Sequence, residues 1–409
     1  MSVYLEPVVL NEAKSIELIA QLEKVPLSRM YQASFKAAIR LHIWFMGRTQ
    51  ELISDYYNVA QATILRGGDR DGIIDSAIGY QIQQKILSRW DKTAKQWTDE
   101  FTQVRIEAAS IPFGVLAIYH ERLVLPGLKK LEEGKGVVDG VFEPQLQALV
   151  TAGEQQIYKD GLTLSSRIWK WDQDSRNGIN DVLMKGIVNG DSAWNIAKEL
   201  EQYLGTDQDC PRWAYSRLYG LTKTDIAQGD LHGLYSDKAL SWETDSDGNR
   251  VPVTATPCDG KKGVSYNALR LARTEIQKAH ALATDYVMAQ QPWVQNEKIN
   301  TSPSHGEPDE CDEVAAGGDN NDGIYPVGTI KLPLHPNCLC FKTADLIPEK
   351  EFTSKLNAWV KGEGQWEELD NYAQMLGANT ASPQDALNKS ILPNAINLAI
   401  WLFDRKPSL

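Results

Sequence analysis

The stretch from Ser302 to Phe341 constrains the fold more than any other part of this chain. It holds Gly306, Gly317, Gly318, Gly323 and Gly328, and its apolar residues are few, chiefly Val314, Ile324, Tyr325, Val327, Ile330 and Leu332. Ordering a backbone costs about 1–2 kcal/mol per residue. So few apolar side chains bury too little surface to offset that cost. Such a segment becomes ordered when something ties its two ends together, where closure removes most chain freedom. The side chains suited to that tie are His305, Cys311, His335, Cys338 and Cys340.

Thiolate and imidazole are zinc ligands, and a structural zinc takes four of them in a tetrahedron. Five candidates are more than enough. In an extended strand, however, Cys338 and Cys340 face the same side with sulfurs roughly 6–7 Å apart, at about 3.3 Å of rise per residue. Both can bind one ion only if the chain turns between them. Three readings therefore stand side by side: a structural zinc site drawn from the five; a Cys–Cys pair, such as Cys311 with Cys338 or Cys340; and reduced thiols with hydrogen-bonded histidines in a packed turn. The first requires four converging ligands and the second requires sulfurs at bonding distance. The remaining cysteines are Cys210 and Cys258. An odd number in so long a chain argues against a secreted disulfide scaffold.

The rest of the chain reads as mostly helical. Apolar residues recur at helical spacing from Ser28 to Tyr57, with Met30, Phe35, Ala38, Ile39, Ile43 and Met46 on one side. A second such stretch runs from Ile73 to Phe101, after the polar break Gly67-Gly68-Asp69-Arg70, and a further helix is expected over Glu143 to Tyr158. Between Leu162 and Leu204 the pattern predicts a helical hairpin. Its first helix bears Ile179, Val182, Leu183 and Ile187 with Ser175 as its cap, and Asn189-Gly190 ends it. Its second is capped by Asp191 or Ser192 and buries Ala193, Ile196, Ala197, Leu200 and Leu204. Trp169, Trp171 and Trp194 lie in or beside these helices and read as core aromatics. Asp247-Gly248-Asn249 between Leu240-Ser241-Trp242 and Val251-Pro252-Val253 predicts a β-hairpin, not a calcium loop, since the glycine and the distal glutamate are misplaced.

Tyr266 to Ala289 reads as a helix with Leu269, Ala272, Ile276, Ala279 and Ala283 buried, and with Arg270, Arg273, Gln277 and His280 on another side. Short strands are expected from Pro292 to Phe341. The fold class is thus α+β and predominantly α-helical: a helical N-terminal region over 1–150, a mixed core with small antiparallel strands over 151–345, and a helical tail over 346–409. At a common domain size of about 100–200 residues, two or three domains are expected.

The net charge of −12 argues against a large non-specific DNA-binding face. No basic, apolar leader is evident at the start. The apolar run Ile391 to Phe403 is shorter than the ~20 residues that span a bilayer and contains Pro393. A soluble protein made in the cytoplasm, without a membrane partner, is expected. The run is a candidate partner-binding helix.

Several of these elements occur together in one known family. Arg273-Thr274-Glu275 on a helix is followed by His305, Asp309, Cys311 and Asp312. The segment closes on His335-Pro336-Asn337-Cys338-Leu339-Cys340, and Leu164-Ser165-Ser166-Arg167-Ile168-Trp169 lies upstream. In this order they resemble the phage Mu F-like minor head proteins, a family related to the head morphogenesis proteins of other tailed phages. The resemblance covers about half the chain. It implies a non-enzymatic minor capsid protein, at low copy number inside the virion near the portal vertex, acting in head assembly and in DNA packaging or ejection. The partners it implies are the portal protein, the major capsid protein or both, with packaged DNA as a further contact.

Two enzyme classes compete with that reading. A zinc-dependent nuclease would use the same Cys/His/Asp cluster, but catalytic zinc keeps an open position beside a general base, and a thiol-rich set suits a closed site. A phage-delivered effector enzyme would need a C-terminal domain, for which about 65 residues after the motif leave little room. No Walker loop, Rossmann fingerprint or Gly-x-Ser-x-Gly is present. Arg273 and Glu275 are two residues apart, so they point about 200° apart on a helix and are read as structural polar anchors.

Overall fold

The computed structural model describes residues 21–124, 161–205, 242–244, 250–252, 264–301, 309–335, 338 and 340–375, with a few isolated positions besides. His305, Cys210, Cys258, the run 391–403 and most of the helix expected over 143–158 lie outside the described residues.

In chain order the elements are α1 (Met30–Leu65), α2 (Ser76–Tyr119), α3 (Leu164–Asn189), α4 (Ala193–Leu204), β1 (Trp242–Thr244), β2 (Arg250–Pro252), α5 (Val264–Gln290), β3 (Val294–Asn300), α6 (Glu310–Ala315), β4 (Ile324–Tyr325), β5 (Phe341–Leu346), α7 (Glu349–Val360) and α8 (Glu367–Met375). The protein is mostly helical, with one small three-stranded antiparallel sheet in the order β4-β3-β5. β1 and β2 pair as the expected hairpin. The chain forms two compact units: one from residues 1–41, 103–153 and 274–409, the other from residues 42–102 and 154–273.

The second unit is built around aromatic side chains. Trp90, Trp97, Phe45, Phe101 and Tyr56 are buried, and Trp97 packs 4.6 Å from Trp171 and 4.8 Å from Phe101, centroid to centroid. A buried indole must place its N–H. Here Trp90 donates to Asp172 Oδ1 (2.9 Å), Trp97 to Thr49 Oγ1 (3.0 Å) and Trp171 to the Val264 carbonyl (3.2 Å).

The α3–α4 hairpin follows its sequence closely at the turn. Gly190 closes α3 in the left-handed conformation (φ 69°), Ser192 caps α4, and the five apolar residues expected on α4 are its buried face. Its start differs. Thr163 caps α3, so the helix begins a dozen residues before Ser175, whose buried hydroxyl instead donates to the Trp171 carbonyl. The Ser175 expectation failed because a serine inside a helix can satisfy itself on the preceding turn. Of the three tryptophans read as core, only Trp171 is buried. Trp169 and Trp194 are 65% and 61% exposed, each on the solvent side of its amphipathic helix.

Helix α2 runs through Pro112 to Tyr119, well past Phe101, where the expected helical stretch ends. The helix from Ser76 to Val124, which includes the π-turn after α2, is long and apolar enough to cross a membrane by length and composition alone. However, 83% of its most apolar window is buried within the protein, as in a core helix. In the first unit, Phe35 stacks on Phe341 at 4.5 Å, and Trp293 packs against Tyr119, Phe352 and Tyr372. Those contacts hold the tail helices α7 and α8, which realise the helical tail as far as residue 375. Helix α5 keeps its expected apolar stripe, but Arg273, Gln277 and His280 are buried as well. It is enclosed on more sides than a two-faced amphipathic pattern allows.

Candidate metal centre

The centre is assembled from α6 and the loop that leads into β5. Asp309 caps α6: its Oδ1 accepts the Cys311 N–H at 2.7 Å, while Asp312 Oδ2 accepts the Asp309 N–H at 2.9 Å. This reciprocal pair fixes the first turn of a short helix. It also aims Cys311 into the interior, where its side chain is fully buried. From the other side, the chain rises through Leu332, Leu334 and His335 and reaches Cys338, Cys340 and β5. Cys311, Cys338, Cys340 and Leu332 form one apolar cluster with Ala281 of α5, flanked by Ile330 and Leu334. Gln277 of α5 donates to the Cys340 carbonyl at 3.0 Å.

Cys311, His335 and Cys338 present their ligand atoms within 4.8 Å of one another, an arrangement that could hold a metal ion such as zinc. Cys311 Sγ is 3.6 Å from Cys338 Sγ and 3.1 Å from His335 Nε2. Tetrahedral bonds of about 2.3 Å to sulfur and about 2.0–2.1 Å to nitrogen place two sulfurs about 3.8 Å apart and a sulfur and nitrogen about 3.5 Å apart. The donor set and its spacing fit zinc after small adjustments. The Cys311–Cys338 separation is well beyond bonding distance, and Cys311, Cys338 and Cys340 are all free thiols.

The Cys340 N–H points back at Cys338 Sγ, 3.4 Å away. The thiols share their protons unequally. Donation from the Cys340 thiol, helped by backbone N–H groups of Cys340 and Leu334, holds Cys338 well below the ordinary thiol range against the effect of burial. Burial pushes Cys311 up, and the bond to Cys338 pushes Cys340 up. His335 Nε2 also lies 3.0 Å from Asp309 Oδ2, so the cap of α6 and the cluster share a residue.

Of the five ligand candidates, four fall in one place. Cys311, His335 and Cys338 form the trio, Cys340 adjoins it in the same buried cluster with its sulfur outside the 4.8 Å group, and His305 lies outside the described residues. Of the family-like residues, Asp309 and Asp312 serve the helix cap. Arg273 and Glu275 are both buried on α5.

A second tie in the same segment was not anticipated. Glu297 of β3, fully buried, accepts the N–H groups of Gly328 (2.8 Å) and Ile330 (2.9 Å) and pairs with Lys342 Nζ at 2.8 Å. Lys342, buried on β5, also bonds Asp285 and the Ile330 carbonyl. A signal existed: charged residues at inward positions of two short strands require partners of opposite sign. Gly323 joins these parts. At φ 74° it lies so close to the Ala315 carbonyl that a Cβ would sit 2.5 Å from that oxygen. Among family models, curated proteins and solved structures, none matches this chain.

Proposed function

We propose that this protein is a minor head protein of a tailed bacteriophage: a structural part made in the host cytoplasm and carried inside the capsid near the portal vertex. In this reading it belongs with the phage Mu F-like proteins it resembles. The observation that carries the reading is the meeting of sequence elements far apart in the chain. The helix with Arg273-Thr274-Glu275 packs, through Gln277 and Ala281, on the segment that ends His335 to Cys340. A signature whose separate pieces form one packed feature is stronger than the same pieces scattered over a surface.

The role is architectural. A zinc ion held by ligands drawn from His305, Cys311, His335, Cys338 and Cys340 would tie α6 to the loop before β5, and metal binding of that kind contributes directly to folding. The thiols of the cluster are buried, which suits a closed site better than a catalytic one with an open position. An acidic chain of net charge −12 suits contacts with the portal or the major capsid protein better than coating of packaged DNA.

Deletion of the gene from the phage or prophage that carries it, with mass spectrometry of purified heads, tests the proposal. The expected result is a low-copy head component whose loss yields defective particles, restored by the gene in trans. Heads that never contain the chain, with unchanged infectivity on deletion, overturn it.

A further inference from the structure

We infer that the cluster is a four-ligand zinc site in which Cys340 completes the set of Cys311, Cys338 and His335, while Asp309 stays outside the coordination sphere. This rests on the metal-binding part of the reading above and says nothing about the phage. A structural zinc requires four ligands, and the trio supplies three. Three residues compete for the fourth place: Cys340, Asp309 and His305.

Cys340 has the stronger geometric claim. It is buried in one cluster with Cys311 and Cys338, its sulfur just outside the group that lies within 4.8 Å, so a rotation of its side chain completes the set. Its backbone N–H points at Cys338 Sγ, 3.4 Å away, which places Cys340 directly beside the trio. A backbone N–H directed at a thiolate stabilises the negative charge that a three-thiolate zinc site accumulates, and such outer contacts orient ligands. Asp309 is already committed. One carboxylate oxygen accepts the Cys311 N–H as the helix cap, the other faces His335, and its side chain is about one-third exposed to water. Withdrawing it to bind metal would uncap α6 and release Cys311 from its aim.

The assignment has a chemical consequence at His335. Nε2 is the nitrogen that faces Cys311, so it is the atom that would bind zinc. It cannot then donate a proton to Asp309. Metal binding replaces that contact and displaces the thiol protons still held, so uptake of zinc releases protons to the buffer. Asp309 keeps its cap in both states.

Cobalt(II) titration of the purified full-length protein, prepared reduced and metal-free, tests the set. Cobalt bound by thiolates gives a sulfur-to-metal charge-transfer band whose intensity follows the number of sulfurs, and visible bands that report tetrahedral geometry. The wild type is expected to show three-thiolate intensity. Cys340→Ser is expected to drop to two-thiolate intensity, whereas Asp309→Asn and His305→Ala keep the wild-type spectrum. Unchanged intensity in Cys340→Ser, or a lost or shifted spectrum in Asp309→Asn or His305→Ala, overturns the ligand assignment. No cobalt or zinc uptake by the wild type overturns the metal reading itself. X-ray absorption on the zinc-loaded wild type gives the same answer without any variant: three sulfurs at about 2.3 Å and one nitrogen at about 2.0–2.1 Å are expected, and two sulfurs would contradict it.

Discussion

His280 offers a test that reads the core of the first unit rather than its surface. The imidazole is buried on α5, with Nε2 2.9 Å from Ser34 Oγ and its ring beside Phe35. Burial lowers its pKa to about 3, against the ordinary 6.5. The unfolded chain therefore takes up a proton at a higher pH than the folded protein does. The stability this group contributes is complete above pH 6.5, is lost as pH falls through that value, and stops changing below about pH 3. Between pH 8 and pH 5 the loss is about 2 kcal/mol, and it hardly depends on how far below 5 the folded value lies. His280→Gln removes the titration while leaving an amide able to reach Ser34. Urea unfolding of wild type and variant, followed by far-UV circular dichroism at pH 8, 7, 6 and 5, isolates the effect. The variant should start less stable but lose about 2 kcal/mol less over that range. Equal slopes in the two proteins would refute the argument, as would an NMR titration placing the His280 ring near pH 6.5. His42, buried in the other unit and lowered to about 3 by burial and by Arg273, should add a second loss of similar size.

Lys342→Met leaves Glu297 as a buried carboxylate without its cation and Asp285 with Lys331 alone, and should cost about 3–5 kcal/mol by denaturant unfolding, whereas Lys331→Ala, at the exposed partner of Asp285, should cost less than about 1 kcal/mol. Gly323→Ala forces a side chain into a left-handed position against two backbone carbonyls, and should lower stability by at least about 2 kcal/mol in the same assay. Stripping zinc with a chelator should lower the thermal midpoint. If free zinc stands a thousandfold above its dissociation constant, the loss is about 4 kcal/mol, and a midpoint insensitive to chelation and to added zinc would count against the metal. Removing residues 385–409 should leave a soluble core but reduce incorporation into heads, measured by mass spectrometry of the particles.

Helices were legible in the sequence where one face alone is buried. In α4 the spacing of Ala193, Ile196, Ala197, Leu200 and Leu204 identifies both the helix and its inner side. Where burial surrounds the helix, the pattern misleads. Helix α5 looks two-faced because Arg273, Gln277 and His280 are polar, yet they are buried too, and periodicity cannot reveal that a partner awaits each one. Trp169 and Trp194 failed for the opposite reason: size and apolarity favour burial, but position on the helix decides it. In the candidate centre, residue chemistry identified Cys311, His335, Cys338 and Cys340, because only a shared site gives so many soft ligands a common purpose. It did not identify the helix α6, whose six residues are too few for a periodic signal, though Asp309 and Asp312 at a three-residue spacing are the mark of its cap. Nor did it identify Glu297 and Lys342, forty-five residues apart, whose pairing depends on the register of β3 against β5.

The proposed place of this chain is inside a phage head, as a structural component. An asymmetric electron-microscopy reconstruction of the encoded phage's head tests it most directly, with the chain located by fitting the two units as separate bodies. The expected result is density for a few copies inside the capsid at the portal vertex, in contact with portal or shell. Density distributed evenly over the shell, or heads assembled and filled with no density for the chain, would contradict it.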